Sequence, residues 1–577
     1  MRTKIKDKVY YDENYRVVLH DAEIRLKNRC LETAQAKYGN PLPDFVKSRL
    51  DIELEAIITN HHSSAYLTVA MIADQSRLLG YPVTTRGTIG SSFVAYLLGI
   101  SHVNPLPAHY YCPLCQSLEL VDVDYQVMGF DLPDKVCPEC GTILAADGCN
   151  IEPEILMGID LEKEPDFTLN LASEVRPKLI RFIKDMFDQE NVFRAGVKAV
   201  LENGDIRRNV HPGGIFIVPK GTDITTVTDL RAEIPDDDFQ LLVTDTDYHE
   251  LDGSVLKKID LLVLPELSMI KILEERTGVP ASSIRKNDEE VITFFRQVGS
   301  SFLPGRQGNG QVLNKTTDLA IKESNPGCFS DLVRIAAMLH GTGTWYHNGE
   351  ELVRRGKSLR ECIATRDDFF QKLLTAGATK TEAFTMMDTV RKGKRLNDIM
   401  RLTMELADIP EYYIQSAEKV SYLYPKAQVA EYMMVYMKLG FYRLHFPDEY
   451  WKAMEEALKT IPKDPVGYVT KAAPADERSD CVNERIFLEK YREAQSNGKE
   501  PFSFSRFCAM YPDVVAEMHQ IEEQYKDEDE EFRARKKFLC KSHYAYMYYV
   551  KFAEAMTIAG FVRMLKEEKD GNDQEGV

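Results

Sequence analysis

The chain has 577 residues, with 72 Lys and Arg against 90 Asp and Glu, for a formal net charge of −18. That length predicts about three or four domains, and 44% hydrophobic with 28% charged residues excludes global disorder. The acidity argues against indiscriminate coating of nucleic acid, because an acidic surface repels a polyanion, although a local basic groove is compatible with a negative sum.

No stretch reaches the ~18 consecutive apolar residues of a spanning helix, so no membrane span is expected. The first residues (Met1-Arg2-Thr3-Lys4-Ile5-Lys6) lack the apolar stretch of a secretory signal. The expected location is cytoplasmic, where eleven cysteines read as thiols or metal ligands rather than disulfides.

In chain order, Asp21–Ala36 and Pro43–Asn60 carry apolar residues at helical spacing. A Gly/Ser/Thr-rich turn, 84–92, leads into a short helix, Phe93–Leu98, and residues 110–150 are turn-rich with clustered cysteines. Pro177–Phe187 reads as helix, and Ile215–Pro219, Leu241–Thr244 and Leu261–Leu264 as strands. From Glu266 to about Leu458 the pattern is helical, broken at Gly305–Gly310 and Gly341–Gly349. Pro462–Pro474 has the Pro/Gly content of a linker, and 475–577 is charged and helical with an acidic run at Asp527–Glu531.

Cys112-Pro-Leu-Cys115 and Cys137-Pro-Glu-Cys140 are two CxxC knuckles separated by 21 residues. Each places two thiolates on one turn, and together they complete a tetrahedral sulfur shell for a structural Zn²⁺ with no open coordination position. Cys149 is the weaker competitor as a ligand. The alternative is four free thiols.

Arg86-Gly87-Thr88-Ile89-Gly90-Ser91-Ser92 has the chemistry of a phosphate cradle: glycines for backbone approach, hydroxyls as donors, and a guanidinium. A Gly/Ser turn into a helix is equally often only a turn. Asp166 and Asp260, each flanked by apolar residues, are candidate divalent-metal ligands, with capping or salt bridging as the plainer alternative.

Taken in order, these motifs resemble the polymerase core of the PolC-type bacterial DNA polymerase III alpha subunit, a C-family replicase. The residues that carry the resemblance are Arg86-Gly-Thr-Ile-Gly-Ser-Ser-Phe93, Val103-Asn-Pro-Leu-Pro107, the two knuckles around Gly129-Phe-Asp-Leu-Pro-Asp-Lys135, Pro165-Asp166, Phe193-Arg-Ala-Gly196 and His211-Pro-Gly-Gly214. Downstream are Asp260, Leu339-His-Gly-Thr342, Arg366-Asp-Asp368, Val390-Arg-Lys-Gly-Lys394 and Tyr424-Pro-Lys-Ala427. The resemblance covers about residues 20–455.

It implies an α+β architecture with a palm, a small zinc-binding segment, a shortened thumb, large helical fingers and a helical C-terminal region. The implied division is 1–80 as the N-terminal helical part of the palm region, 81–174 as palm with the loop and the zinc segment (110–150), 175–210 as shortened thumb, 211–265 as continued palm, 266–460 as fingers, and 475–577 as a charged region of unknown role. In that family two aspartates of a Pro-Asp-x-Asp motif and a third on a nearby strand bind two Mg²⁺. Asp166 and Asp260 match the first and third.

The second position is Thr168, and a neutral hydroxyl is a poor substitute for a carboxylate that bridges two hard cations. Mg²⁺ is therefore expected only if a residual palm site still binds it, and catalysis is expected to be impaired. Only 14 residues separate Gly196 from His211, where the family carries a longer thumb, so a truncated, degenerate core is expected. Gln428 stands where the family commonly has His, and Glu431 brings a negative charge onto the same helix.

The resemblance also implies triphosphate or template-phosphate contacts from Arg86, Gly87, Gly90, Ser91, Ser92, His340, Arg366, Arg391, Lys392 and Lys394. Residues 351–400 hold eleven basic and seven acidic residues inside an acidic chain, which suits that role. Trp345, Tyr422 and Tyr424 are candidates for base stacking or for core.

Three functions follow: an impaired polymerase homologue that binds DNA, dNTP or a replication or defence partner; an active reduced DNA polymerase or nucleotidyltransferase using Asp166 and Asp260, with Glu164 or Glu174 as substitute carboxylate; and a protein-interaction platform without nucleic-acid binding. A basic partner would meet the acidic surface or residues 475–577, a region resembling no family by its motifs.

Overall fold

Proline and glycine fix the ends of the elements that carry the site. Pro165 precedes the strand that holds Thr168, and a left-handed Gly87 (φ 78°) turns the chain out of the strand that ends at Arg86. The computed structural model describes residues 9–11, 17–19, 21–163, 165–200, 206–218, 223–231, 241–251, 257–298 and 315–460. Glu164, the Gly305–Gly310 break, the Pro462–Pro474 linker and the expectations for 475–577 lie outside the described residues.

The first strands, β1 (Val9–Tyr11) and β2 (Val17–Leu19), form a separate antiparallel pair. Helices α1 (Ala22–Tyr38), α2 (Asp44–Thr59) and α3 (Ser63–Leu78) lead to β3 (Val83–Arg86) and the short α4 (Phe93–Leu97). The zinc segment follows as β4 (His109–Tyr111), β5 (Leu118–Leu120) and β6 (Ala145–Asp147), ordered β5-β4-β6. After α5 (Pro153–Met157) come β7 (Thr168–Leu171), α6 (Arg176–Phe187), β8 (Val192–Val200), β9 (Ile206–Ile217), β10 (Leu230–Arg231), β11 (Val243–Asp247), α7 (Tyr248–Leu251) and β12 (Lys257–Val263).

The central sheet has seven strands in the order β10-β11-β8-β9-β12-β7-β3. β12 runs parallel to β7 and β11 parallel to β8, and the other pairings are antiparallel. Leu169 and Leu171 on one face of β7, and Thr168 and Asn170 on the other, are all buried, so the middle of the sheet is covered on both sides.

One expectation changes here. β9 runs without interruption through the 210/211 division expected between thumb and palm, and β8 and β9 pair antiparallel within the central sheet. The described residues after Gly196, 197–200 and 206–210, are paired strand, and α6 is the one α-helix among the described residues of 175–210.

The helical part comprises α8 (Pro265–Thr277), α9 (Glu289–Val298), α10 (Lys315–Ser324), α11 (Phe329–His340), α12 (Glu350–Arg354), α13 (Arg366–Thr375), α14 (Lys380–Arg391), α15 (Asp398–Leu406), α16 (Glu411–Lys419), α17 (Lys426–His445) and α18 (Pro447–Lys459). α17 is buried almost all round, as expected of a helix through the middle of a core. Trp345 belongs to that core. No helix of the described residues is long and apolar enough to cross a membrane.

Candidate active site and zinc centre

The register of the sheet builds the candidate active site. β12 pairs with β7 so that Asp260 stands beside Thr168, β3 pairs so that Arg86 stands on its other side, and β9 places Gly214 beside Asp260. Arg86, Thr168, Asp260 and Gly214 thus form one row across four strands. A side chain at Gly214 would put its Cβ 2.7 Å from the Ala195 Cβ and 2.9 Å from the His211 Nδ1, so the row needs glycine there.

Asp260 accepts from Lys258 Nζ at 3.1 Å through Oδ2. Its Oδ1 is buried without a hydrogen-bond partner, 3.6 Å from His211 Nδ1. That nitrogen accepts from the Gly213 and Gly214 amides at 3.2 and 2.7 Å, which puts the imidazole proton on Nε2. Two acceptors therefore face each other, and an unsatisfied buried carboxylate oxygen there fits a cation.

Asp166 is exposed two residues before Thr168. Among the described residues, the four cysteines are the group of three or more Cys, His, Asp or Glu side chains with ligand atoms close enough to share a metal. Asp166, Thr168 and Asp260 are not such a group, and Thr168 offers a neutral oxygen where the resemblance calls for a bridging carboxylate. Glu174 is engaged by Ser268 Oγ at 2.7 Å, away from this row.

The Gly/Ser loop turns most of its donors inward. Ser91 and Ser92 are fully buried. Glu53 of α2 reaches the start of α4, where it accepts from Ser92 Oγ at 2.7 Å, Phe93 N at 2.9 Å, Val94 N at 3.1 Å and Arg49 Nε at 2.6 Å. A protein carboxylate thus takes the Ser92 hydroxyl that sequence reasoning offered to phosphate, together with the next two amides, those of Phe93 and Val94. Gly87 N donates to Gln428 Oε1 at 2.9 Å. Below Gly90, Glu431 accepts from Thr85, from Ser101 Oγ at 3.0 Å and from His102 N at 3.0 Å. Its charge is satisfied by the loop rather than presented to a ligand.

The basic residues divide into two places. Arg86 lies beside His340, whose imidazole is pushed down to about 3 by burial and then by that guanidinium, so His340 is neutral at pH 7. His340 packs on Tyr424 at 5.1 Å between ring centres, and Tyr424 on Tyr422 at 4.9 Å. Arg366, Arg391 and Lys392 line a recess of about 360 Å³ between α13, α14 and the 154–163 segment, together with the carboxylates of Glu154, Asp160, Glu162 and Asp388, and Arg391 Nε donates to Asp388 at 2.7 Å. Lys163 lines it too; burial lowers its pKa, while Asp166 opposes the shift and Arg391 and Arg366 add to it.

Sequence reasoning missed Lys163, Glu53 and Arg49. The signal for Lys163 was a basic residue three positions before Asp166, and for the other two an i,i+4 ion pair on the apolar face of α2.

Arg366 Nη2 donates to the Leu423 carbonyl at 3.2 Å, which ties the recess to the Tyr422–Tyr424 segment. Below it, Lys426 Nζ and Arg334 Nη1 meet Asp368 at 3.1 and 2.9 Å, and the Lys426 amide donates to Asp367 at 2.7 Å. Burial raises the Asp368 carboxyl, and the two cations outweigh it and hold it low. This buried network fixes the start of α17 against α13. Lys392 is paired with Asp388, and Lys394 is exposed beyond the rim.

The zinc centre has the expected composition. Cys112, Cys115, Cys137 and Cys140 have sulfur atoms all within 4.8 Å of one another, and Cys149 is buried outside the group. Gln116 (φ 64°) and Gly141 (φ 75°) adopt the left-handed conformation directly after each knuckle, folding backbone amides toward sulfur. The Cys137 thiol is held down at about 6, first by the Ser117 hydroxyl and then by knuckle amides, so it readily forms the thiolate that a metal needs. The four-thiolate donor set fits Zn²⁺.

A family model described as "Bacterial DNA polymerase III alpha NTPase domain" matches residues 24–210, and one described as "AvrRxo1 antitoxin" matches residues 475–571. "DNA polymerase III PolC-type" of Caldanaerobacter subterraneus subsp. tengcongensis is 34% identical over 475 residues, covering 75% of this chain and 34% of the relative. The protein of the same name from Lacticaseibacillus paracasei is 34% identical, covering 78% and 34%, and that from Thermotoga maritima 31% identical, covering 76% and 35%. The chain spans about a third of the length of the curated relatives it matches. Over about three quarters of its length, this chain is a homologue of PolC-type DNA polymerase III.

Proposed function

We propose that this protein is a PolC-like polymerase core that holds a nucleoside triphosphate or DNA phosphates but synthesises little DNA. The observation that carries this reading is Thr168 in direct register with Asp260, where the family's arrangement calls for a second metal-binding carboxylate. The row keeps one buried oxygen for a cation, and the Arg366–Arg391–Lys163 recess keeps cationic groups for phosphate.

Two Mg²⁺ ions, when bound in a polymerase of this type, activate the primer 3′ oxygen and stabilise the leaving pyrophosphate. Here the chain's own residues orient rather than activate. Asp260 is held by Lys258, Arg86 flanks the row, and the neutral His340 with Tyr424 forms the wall beside it. Losing the charge of the bridging ligand costs several orders of magnitude in rate, at ~1.4 kcal/mol per tenfold. Primer extension with Mg²⁺ tests the reading.

The match at 475–571 favours a second role, a toxin-directed partner function for the C-terminal region. Full-length chain co-expressed with AvrRxo1 in bacterial cells should restore growth, and the chain without residues 475–577 should not. Equal rescue by both, or by neither, would count against that role.

A further inference from the structure

Helix α15 leaves an apolar stripe uncovered. Ile399, Leu402 and Leu406 are 76, 52 and 77% exposed, and their i, i+3, i+7 spacing puts them on one face. On the opposite face, Met404 is fully buried and anchors the helix to the core. Singly exposed aliphatic residues need no explanation, but three on successive turns of one helix make a contiguous surface that water solvates poorly.

The charge around the stripe is polar along the helix axis. The approach to α15 is net basic, with Lys392, Lys394 and Arg395 exposed against one exposed carboxylate, Asp398, whereas Glu405 and Asp408 are exposed at its far end. Arg401, half-way along, is shared by Glu405, Glu411 and Glu418 at 3.1, 2.7 and 2.9 Å, so three carboxylates there meet one guanidinium. A surface that is basic at one end, acidic at the other and apolar between complements itself when turned end for end.

We infer that α15 is a self-association surface, on which a second copy of this chain docks its own α15 antiparallel about a two-fold axis near Leu402. In that register Ile399 of each copy packs against Leu406 of the other, and each Arg395 faces the Asp408 end of its partner. The contact is isologous, so it closes as a dimer and does not propagate. Three aliphatic side chains from each copy place it at the small end of specific interfaces, with a dissociation constant on the order of 10–100 µM. This surface is separate from the recess and from the row around Asp260.

Sedimentation equilibrium of the full chain from about 1 to 200 µM reads this directly. The expected result is a monomer–dimer equilibrium that Leu402→Glu abolishes, with an unchanged circular-dichroism spectrum and melting point, because Leu402 is exposed. Arg395→Glu should weaken the dimer roughly tenfold, the loss of one favourable charge contact made repulsive. A chain that remains monomeric at 200 µM would overturn the inference, as would a dimer that survives Leu402→Glu.

Discussion

Thr168 and Asp260 are direct partners on adjacent parallel strands, with the Asp260 amide donating to the Phe167 carbonyl at 2.9 Å to fix the register. A one-residue slip would turn every side chain of β7 to the other face, so the hydroxyl is locked beside the carboxylate. The impairment proposed here rests on that placement.

The recess gives a first prediction. Arg391→Ala and Lys163→Ala should each weaken binding of a nucleoside triphosphate by roughly 10- to 100-fold, the worth of one charge-assisted hydrogen bond. Equilibrium titration with a fluorescent triphosphate analogue measures it, and unchanged affinity in both variants would move the phosphate elsewhere.

The zinc segment gives a second. Metal analysis of protein purified without chelator should show about one zinc per chain, and Cys137→Ser should release it. Because a structural zinc contributes folding free energy directly, chelation should lower the first melting transition. The small buried cluster around Ala108, Tyr110, Leu132 and Leu144 is too slight to hold the segment alone.

Glu53 gives a third. Replacing it by Gln leaves Arg49 beside buried amides without its carboxylate, at a cost of about 3–5 kcal/mol for a broken buried pair. The melting temperature should fall by several degrees. An unchanged melting point would mean that the start of α4 finds another acceptor.

Two buried groups give a fourth, with opposite pH dependence. His340 titrates near 3 in the folded chain against 6.5 ordinarily, so its contribution is intact above pH 6.5 and is lost as pH falls from there toward 3. Burial pushes the Glu266 carboxyl up to about 7 from 4.5, so its contribution is intact below pH 4.5 and is lost as pH rises toward 7. Glu266→Gln should therefore stabilise the protein at pH 8 by up to about 3 kcal/mol and change little at pH 4.5. Urea midpoints at the two values of pH check the sign.

Local features were legible in the sequence, and long-range ones were not. The knuckles announce themselves through two CxxC spacings, and α1, α2 and α6 through apolar periodicity that matches their ends to within a few residues. The loop looked like a phosphate cradle because its own composition says so. What meets its far end, Glu53, lies on another helix, and no local pattern reveals such an approach. Glu431 stood out as a charge on an apolar helix, but only the fold shows that Thr85, Ser101 and His102 satisfy it. The β8–β9 pairing was missed because Gly196 and the charged Lys198, Arg207 and Arg208 interrupt its apolar alternation.

Primer extension on a recessed template with Mg²⁺ and all four dNTPs tests the central claim most directly. The wild-type chain should extend negligibly, and Thr168→Asp should gain measurable synthesis that Asp260→Ala then removes. Robust extension by the wild-type chain, abolished by Asp260→Ala alone, would contradict it.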